Sequence, residues 1–118
     1  MKLWYSNSSP YARKARAVVQ YHQLQDHVEL LLTTSGLDKN SPHNLDNPLG
    51  RLPALQRENG EWLYNSSLIA EYLDNIGTQP SLYGNKETRW EILRLHYLAD
   101  GILENEISVA PEKCLRPQ

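Results

Sequence analysis

The sequence predicts an α/β fold: a small mixed four-stranded sheet with helices on its faces, followed by one long helix. Three observations predict it. Near the start, an apolar run gives way to helical spacing and then to a second apolar, β-capable run. That strand–helix–strand order is the pattern of parallel strands joined by a crossover. Two further strand-like runs flank Asn59-Gly60, a hairpin signal, and lead into a second amphipathic helix. Beyond a stretch carrying Pro80 and Gly84, a longer helical pattern begins.

Residues 2–5 are short, apolar and aromatic, as a buried strand is. Ser9 then stands as the cap of a helix, with Pro10 at its first position, where a missing N–H costs nothing. From Pro10 to about Gln23, the residues Ala12, Ala15, Val18, Val19 and His22 fall on one stripe. Residues 24–27 break the pattern, and residues 28–33 read as the second strand. Residues 34–50 hold Gly36, Pro42, Pro48 and Gly50 among several Asn, Asp and Ser, and read as a loop with room for one helical turn. Residues 52–56 and 61–64 read as strands, with Asn59 and Gly60 both tolerating positive φ between them. Asn65-Ser66-Ser67 caps the next helix, whose apolar stripe is Leu68, Ile69, Tyr72, Leu73 and Ile76, and Gly77 suits its end. The long helix starts near Lys86 with Asn85 as a cap and ends at Pro111. Trp90, Leu93, Tyr97, Leu103 and Ile107 share its broad apolar face, and Asp100 falls on the same face.

At 118 residues, with 40% hydrophobic and 22% charged residues, the chain can bury a real core and is not disordered by composition. Twelve basic against fourteen acidic residues argue against a dedicated nucleic-acid binder. No apolar run reaches membrane-spanning length, and no secretory signal opens the chain. The single cysteine, Cys114, makes no internal disulfide and has no metal-ligand spacing around it. A reducing, cytoplasmic location is the default expectation. His22, His27, His43 and His96 show no metal or triad spacing and read as structural or solvated.

One local pattern carries chemistry. Arg13, Lys14 and Arg16 crowd the early turns of the first helix, where the macrodipole is already positive and acidic residues are favoured. An anion at the helix end, a thiolate or a carboxylate, would relieve that crowding. The alternative is that three basic side chains simply point into water.

Three separated segments then point one way: Ser8-Ser9-Pro10-Tyr11-Ala12-Arg13-Lys14-Ala15-Arg16, Asn47-Pro48-Leu49-Gly50-Arg51-Leu52-Pro53-Ala54-Leu55, and Asn65-Ser66-Ser67-Leu68-Ile69-Ala70-Glu71-Tyr72-Leu73. In this order, the chain resembles the bacterial cytosolic branch of the glutathione transferase family. The resemblance implies a thioredoxin-like, glutathione-binding domain over residues 1–78, a linker over 79–85, and over 86–118 the start of an all-helical domain. It covers nearly all of the first 78 residues, and the helix around Tyr97-Leu98-Ala99-Asp100-Gly101-Ile102 is similar to the first helix of the family's second domain.

By that resemblance, Ser9 is the residue that meets the sulfur of glutathione, with Ser8 and Tyr5 as rivals. A hydroxyl donating to a thiolate favours the charged form and lowers the thiol's pKa. A drop of about two units from ~8.5 corresponds to roughly 2.7 kcal/mol. Ser9 as a plain N-cap is the other reading, and both can hold at once. Serine in place of cysteine disfavours a mixed-disulfide reductase. The resemblance also implies a cis bond before Pro53, with the backbone of Leu52 pairing with the cysteinyl part of glutathione. It places Arg51 where a basic residue meets the glycyl carboxylate, against a solvated surface arginine. Asn65 and Ser66 stand where the family has an acid and a serine that take the γ-glutamyl end, against a plain helix cap. Asn65 departs from the acid and supplies no charge. Asp100 is open between a glutathione contact across a subunit boundary and a salt bridge.

The expectation is therefore a glutathione transferase that activates the thiolate for attack on a small electrophile. It needs no metal and no cofactor beyond glutathione as co-substrate, and it acts as a homodimer without nucleic-acid or membrane partners. The alternative is a non-catalytic transferase-like module for protein contacts or regulation. The chain stops after the first helix of the second domain, so most residues that select the electrophile are expected to be missing.

Overall fold

The computed structural model describes residues 1–33 and 51–115, with side chains described to Glu106. The loop expected over residues 34–50 lies outside the described residues, together with His43, the Asn47–Gly50 part of the second segment, the side chains of Ile107 and Cys114, and the tail from residue 116. The elements are β1 (Lys2–Tyr5), α1 (Pro10–Tyr21), β2 (Glu29–Leu32), β3 (Ala54–Gln56), β4 (Trp62–Tyr64), α2 (Ser66–Ile76) and α3 (Arg89–Leu115). They fall into two compact units, Met1–Ser81 and Leu82–Gln118.

The first unit holds a mixed sheet in the order β2-β1-β3-β4. β1 and β2 are parallel, while β3 runs antiparallel to both β1 and β4. Leu3 sits opposite Leu30 on one side and Leu55 on the other, and Leu55 sits opposite Leu63. The core joins Leu3 and Leu55 to Ala15, Val18 and Val19 of α1 and to Ile69, Ala70 and Leu73 of α2. Complete burial of Leu3, Leu55, Ile69 and Leu73 stabilises the unit by about 1.5–3 kcal/mol each.

The strands are shorter than the apolar runs suggest. β2 covers Glu29–Leu32 within the expected 28–33, and it lies at the sheet edge with Leu30 and Leu32 largely exposed. β3 begins at Ala54, because Pro53 has no N–H to give to the ladder; the Leu52–Pro53 bond is cis. β4 begins at Trp62. In the hairpin, only Gly60 takes positive φ (88°), while Asn59 acts through its side chain, accepting from the Glu61 N–H at 3.0 Å. The turn is closed by the Arg57 N–H donating to the Glu61 carbonyl at 2.8 Å.

α1 buries the predicted stripe, including His22, which is fully buried. α2 buries a different one. Leu68 and Ile76, expected in the core, are 50% and 38% exposed, and the inner face is Ser66, Ser67, Ile69, Ala70, Leu73 and Asp74. The helix is rotated because Asp74 has a buried partner to meet. His22 Nδ1 accepts from the Gln79 N–H (3.1 Å), which puts the ring proton on Nε2, 2.8 Å from Asp74 Oδ1. Ser81 donates to the other carboxylate oxygen at 2.6 Å, and Thr78 donates to the His22 carbonyl at 3.3 Å. This network ties the ends of α1 and α2 to the segment that follows them. Gly77 ends α2 for a steric reason: its φ is −73°, and a Cβ there would strike the His22 ring.

In the second unit, Asn85 Oδ1 accepts from the Glu87 and Thr88 N–H groups (2.9 and 3.0 Å), so the chain turns once more before α3 starts at Arg89 rather than near Lys86. α3 runs on through Pro111 to Leu115, against the expected stop. Proline removes one donor from the ladder, and the bonds on either side carry the helix across it. The predicted apolar face also splits: Leu93 is buried, while Trp90 and Tyr97 are 76% and 55% exposed. Residues three or four apart are offset by about 40–60° around the axis, enough to put them on different sides of a boundary. Leu95, Leu98 and Ile102 are exposed as well. The inner side holds His96 and Asp100, whose ring nitrogen and carboxylate oxygen are 3.8 Å apart, and the Tyr83 hydroxyl lies 3.3 Å from His96 Nδ1.

Candidate functional site

The topology gathers the singled-out residues at one end of the sheet. β1 ends at Tyr5 and feeds the turn that holds Ser6, Ser8 and Ser9. β3 runs the other way, so its start lies at that same end: Trp4 pairs with Ala54, and Arg51, Leu52 and Pro53 immediately precede it. β4 returns parallel to β1, with Tyr64 opposite Ala54, and delivers Asn65 and Ser66 there too. Open α/β sheets bind ligands at the carboxyl ends of their parallel strands, and this is that end for β1 and β2.

Two helices start here. At α1, the Ser9 hydroxyl accepts from the Ala12 N–H at 3.1 Å. Accepting uses a lone pair and leaves the hydroxyl proton to be donated outward. Pro10 follows, and no acidic residue stands in the first turn. The two rivals of Ser9 have neighbours of their own. Ser8 Oγ lies 3.4 Å from Ser6 Oγ, and the Tyr5 ring is covered by the Arg16 guanidinium at 4.4 Å from its centroid.

At α2, Asn65 has φ 80°, a left-handed conformation that asparagine tolerates better than most residues. In it, Oδ1 accepts from the Ser67 N–H at 2.9 Å while the Asn65 carbonyl accepts from Ile69 at 3.0 Å. Ser66 is 6% exposed, and its hydroxyl has no partner among the described residues. Lys14 Nζ reaches from α1 to Ser67 Oγ at 3.3 Å, so the opening turns of the two helices are neighbours. Arg51 is exposed, Leu52 half-buried and Pro53 buried. The positive ends of two helix dipoles thus face one region, an arrangement suited to anions.

Two features of this end escaped the sequence. Ser6 is buried beside Ser8, and its signal is a serine directly following a strand. Thr33, just beyond β2, is buried with its hydroxyl unpartnered among the described residues. Asp100, in the other unit, has His96 of its own helix as a partner. Among the described residues, no group of three or more His, Cys, Asp or Glu side chains is arranged to hold a metal ion, and no helix is long and apolar enough to cross a membrane.

The model of the glutathione S-transferase N-terminal domain matches residues 8–76, which contain Ser8, Ser9, Arg51, Leu52, Pro53, Asn65 and Ser66. The chain belongs to the glutathione S-transferase family. An uncharacterized GST-like protein of Escherichia coli K12, YibF, is 30% identical over 115 residues, covering 88% of this chain and 50% of that protein. A glutathione S-transferase from Methylobacillus flagellatus KT, crystallised with glutathione, superposes with a TM-score of 0.87 at 36% identity over 99% of this chain and 56% of its own. A family member from Pseudomonas fluorescens Pf-5 with bound glutathione gives 0.86 at 36% identity, over 98% of this chain and 58% of that one. It is also known with bound S-(propanoic acid)-glutathione, at a TM-score of 0.81 and 34% identity over 99% of this chain and 56% of that one. The chain therefore spans about half the length of these relatives. Its first unit carries the family's thioredoxin-like fold, and its second holds the long helix α3.

Proposed function

We propose that this chain binds glutathione at the end of the sheet where α1 and α2 begin, and that Ser9 stabilises its thiolate for attack on a small electrophile. The observation that carries the reading is the Ser9 hydroxyl, which accepts the cap bond from Ala12 and keeps its proton for an outward acceptor. A thiolate there gains a hydrogen bond and the positive end of α1. The sulfur bonds to the electrophilic carbon, the leaving group departs with its electron pair, and the thiol proton has already gone to solvent. Ser66 and the N–H groups of α2 take the γ-glutamyl carboxylate, Asn65 accepts from its ammonium, Leu52 and Pro53 meet the cysteinyl part, and Arg51 takes the glycyl carboxylate. The relatives crystallised with glutathione and with a sulfur-substituted glutathione support this assignment of the reacting atom. Residues 1–78 are then the glutathione domain and 86–118 the opening of the helical domain. The setting is a cytoplasmic homodimer.

Calorimetry with glutathione, joined to ultraviolet titration of the bound thiolate, tests this. Ser66→Ala is expected to weaken binding. Ser9→Ala is expected to raise the bound thiol's pKa with little loss of affinity. A wild-type chain with no measurable affinity for glutathione ends the proposal. A second reading, a non-catalytic module for protein contacts, is favoured by the exposed apolar side of α3 at Trp90, Tyr97, Leu98 and Ile102. It predicts unaltered thiol acidity in the bound tripeptide.

A further inference from the structure

We infer that the electrophile taken by this site carries an anionic group, a carboxylate, held by Arg13 and Arg16. The inference rests on the reading that glutathione's sulfur lies against Ser9. Arg13 and Arg16 follow Ser9 by four and seven residues, so the three lie on one stripe of α1. Helical side chains lean toward the N-terminus, so both arginines lean toward the Ser9 end. Arg13 is exposed. The Arg16 guanidinium rests on the ring of Tyr5, the last residue of β1 at that same end, 4.4 Å from its centroid.

Charge makes this stripe unusual. Two like charges sit one turn apart near the positive end of the helix dipole, and the first turn holds no acidic residue. Among the described residues, no carboxylate pairs with either arginine. Lys14 stands apart from them, because it turns to Ser67. Glutathione does not supply the missing anion either. Its two carboxylates are assigned to Arg51 and to the start of α2, which leaves Arg13 and Arg16 facing what the sulfur is joined to. Guanidinium groups suit carboxylates, offering paired N–H donors in a fixed plane.

The test compares two thioethers of glutathione that differ only in charge at the added group, S-carboxymethylglutathione and its uncharged amide, S-(carbamoylmethyl)glutathione. Affinities are measured by calorimetry on the full chain, so no turnover is needed. The wild type is expected to bind the carboxylate about fivefold more tightly than the amide, the scale of one exposed charge pair. Arg13→Gln is expected to shrink that ratio toward one, Arg13→Glu to invert it, and added salt to compress it. Equal wild-type affinities overturn the inference while leaving the Ser9 reading intact. A preference that survives the Arg13→Gln, Arg16→Gln double variant also overturns it. If neither thioether nor glutathione binds, the Ser9 reading fails and the inference fails with it.

Discussion

Replacing Asp74 by alanine is expected to destabilise the first unit by about 3 kcal/mol, although Asp74 lies at the far end of both helices from the candidate site. The magnitude follows from what is left behind. His22 is fully buried, and its Nε2–H donates to Asp74 Oδ1 at 2.8 Å. Without the carboxylate, that N–H is orphaned in a dry environment, at a cost of about 1–3 kcal/mol, and a charge-assisted bond of about 1.5–3 kcal/mol is lost with it. Ser81 also loses its acceptor at 2.6 Å, but it is exposed and turns to water. Asp74→Asn keeps an oxygen for the ring proton and is expected to cost about 1 kcal/mol, because only the charge assistance goes. Urea unfolding followed by circular dichroism measures both, and the alanine variant should melt roughly 10–20 °C lower. Pairing Asp74→Ala with His22→Ala in a double-mutant cycle isolates the contact, with an expected coupling of more than about 1 kcal/mol. An alanine variant within about 0.5 kcal/mol of wild type, or a coupling near zero, would refute the claim that this bond sets how α2 faces the core.

The same pair makes Gly77→Ala costly, by about 1–3 kcal/mol in urea unfolding, because the new methyl meets the His22 ring and not because of backbone strain. Asn65→Ala is expected to lose both its cap bond to Ser67 and its tolerance of φ 80°, for about 2 kcal/mol, while Asn65→Gly keeps the conformation and loses clearly less. On α3, the Arg94 guanidinium donates to Glu91 at 2.7 Å and holds that carboxyl below its ordinary range. A carboxyl depressed in the folded state adds stability above its unfolded pKa and loses it as pH falls through the folded one. The stability gap between wild type and Glu91→Gln should therefore be present at neutral pH, small for so exposed a pair, and gone in strong acid, as read from urea midpoints at both pH values.

Local signals made most of the fold legible. The Ser9-Pro10 start of α1 and the stripe Ala12, Ala15, Val18, Val19 and His22 are read from residues within one or two turns of each other, and the structure buries all five. What was not legible depends on partners distant in sequence. Leu68 and Ile76 looked like core because apolar spacing alone ranks them so, and Asp74 was not singled out. The buried ring that reverses the ranking comes from position 22, fifty-two residues earlier. Pro111 looked like a stop because a missing N–H is a local fact, while its tolerance is set by the bonds around it. At the candidate site, the serines at the two helix starts were visible as caps. The left-handed backbone of Asn65, the contact of Ser8 with Ser6 and the Arg16 guanidinium over the Tyr5 ring required three dimensions.

The chemistry of this end follows from one reversal of the chain. Had β3 run parallel to β1, the Arg51-Leu52-Pro53 segment would enter at the opposite edge, some three residues of strand away from Ser9. Because β3 is antiparallel and β4 turns back again, both helices that follow upward strands begin at the same edge. Each helix start carries roughly half a positive charge. Lys14, linking their first turns, adds a full one nearby. A ligand with several separated negative groups can satisfy all of these at once, whereas a neutral ligand leaves them facing one another. Asn65 fits this balance: an acid at that position would offset part of the positive field, while asparagine caps α2 and leaves the field whole. On the proposed reading, the site favours anions at the expense of holding an ammonium group. Restoring a charge with Asn65→Asp should tighten glutathione through its amino group while weakening an amine-blocked analogue such as N-acetylglutathione, and calorimetry that finds both ligands shifted in the same direction would contradict that account of the electrostatics.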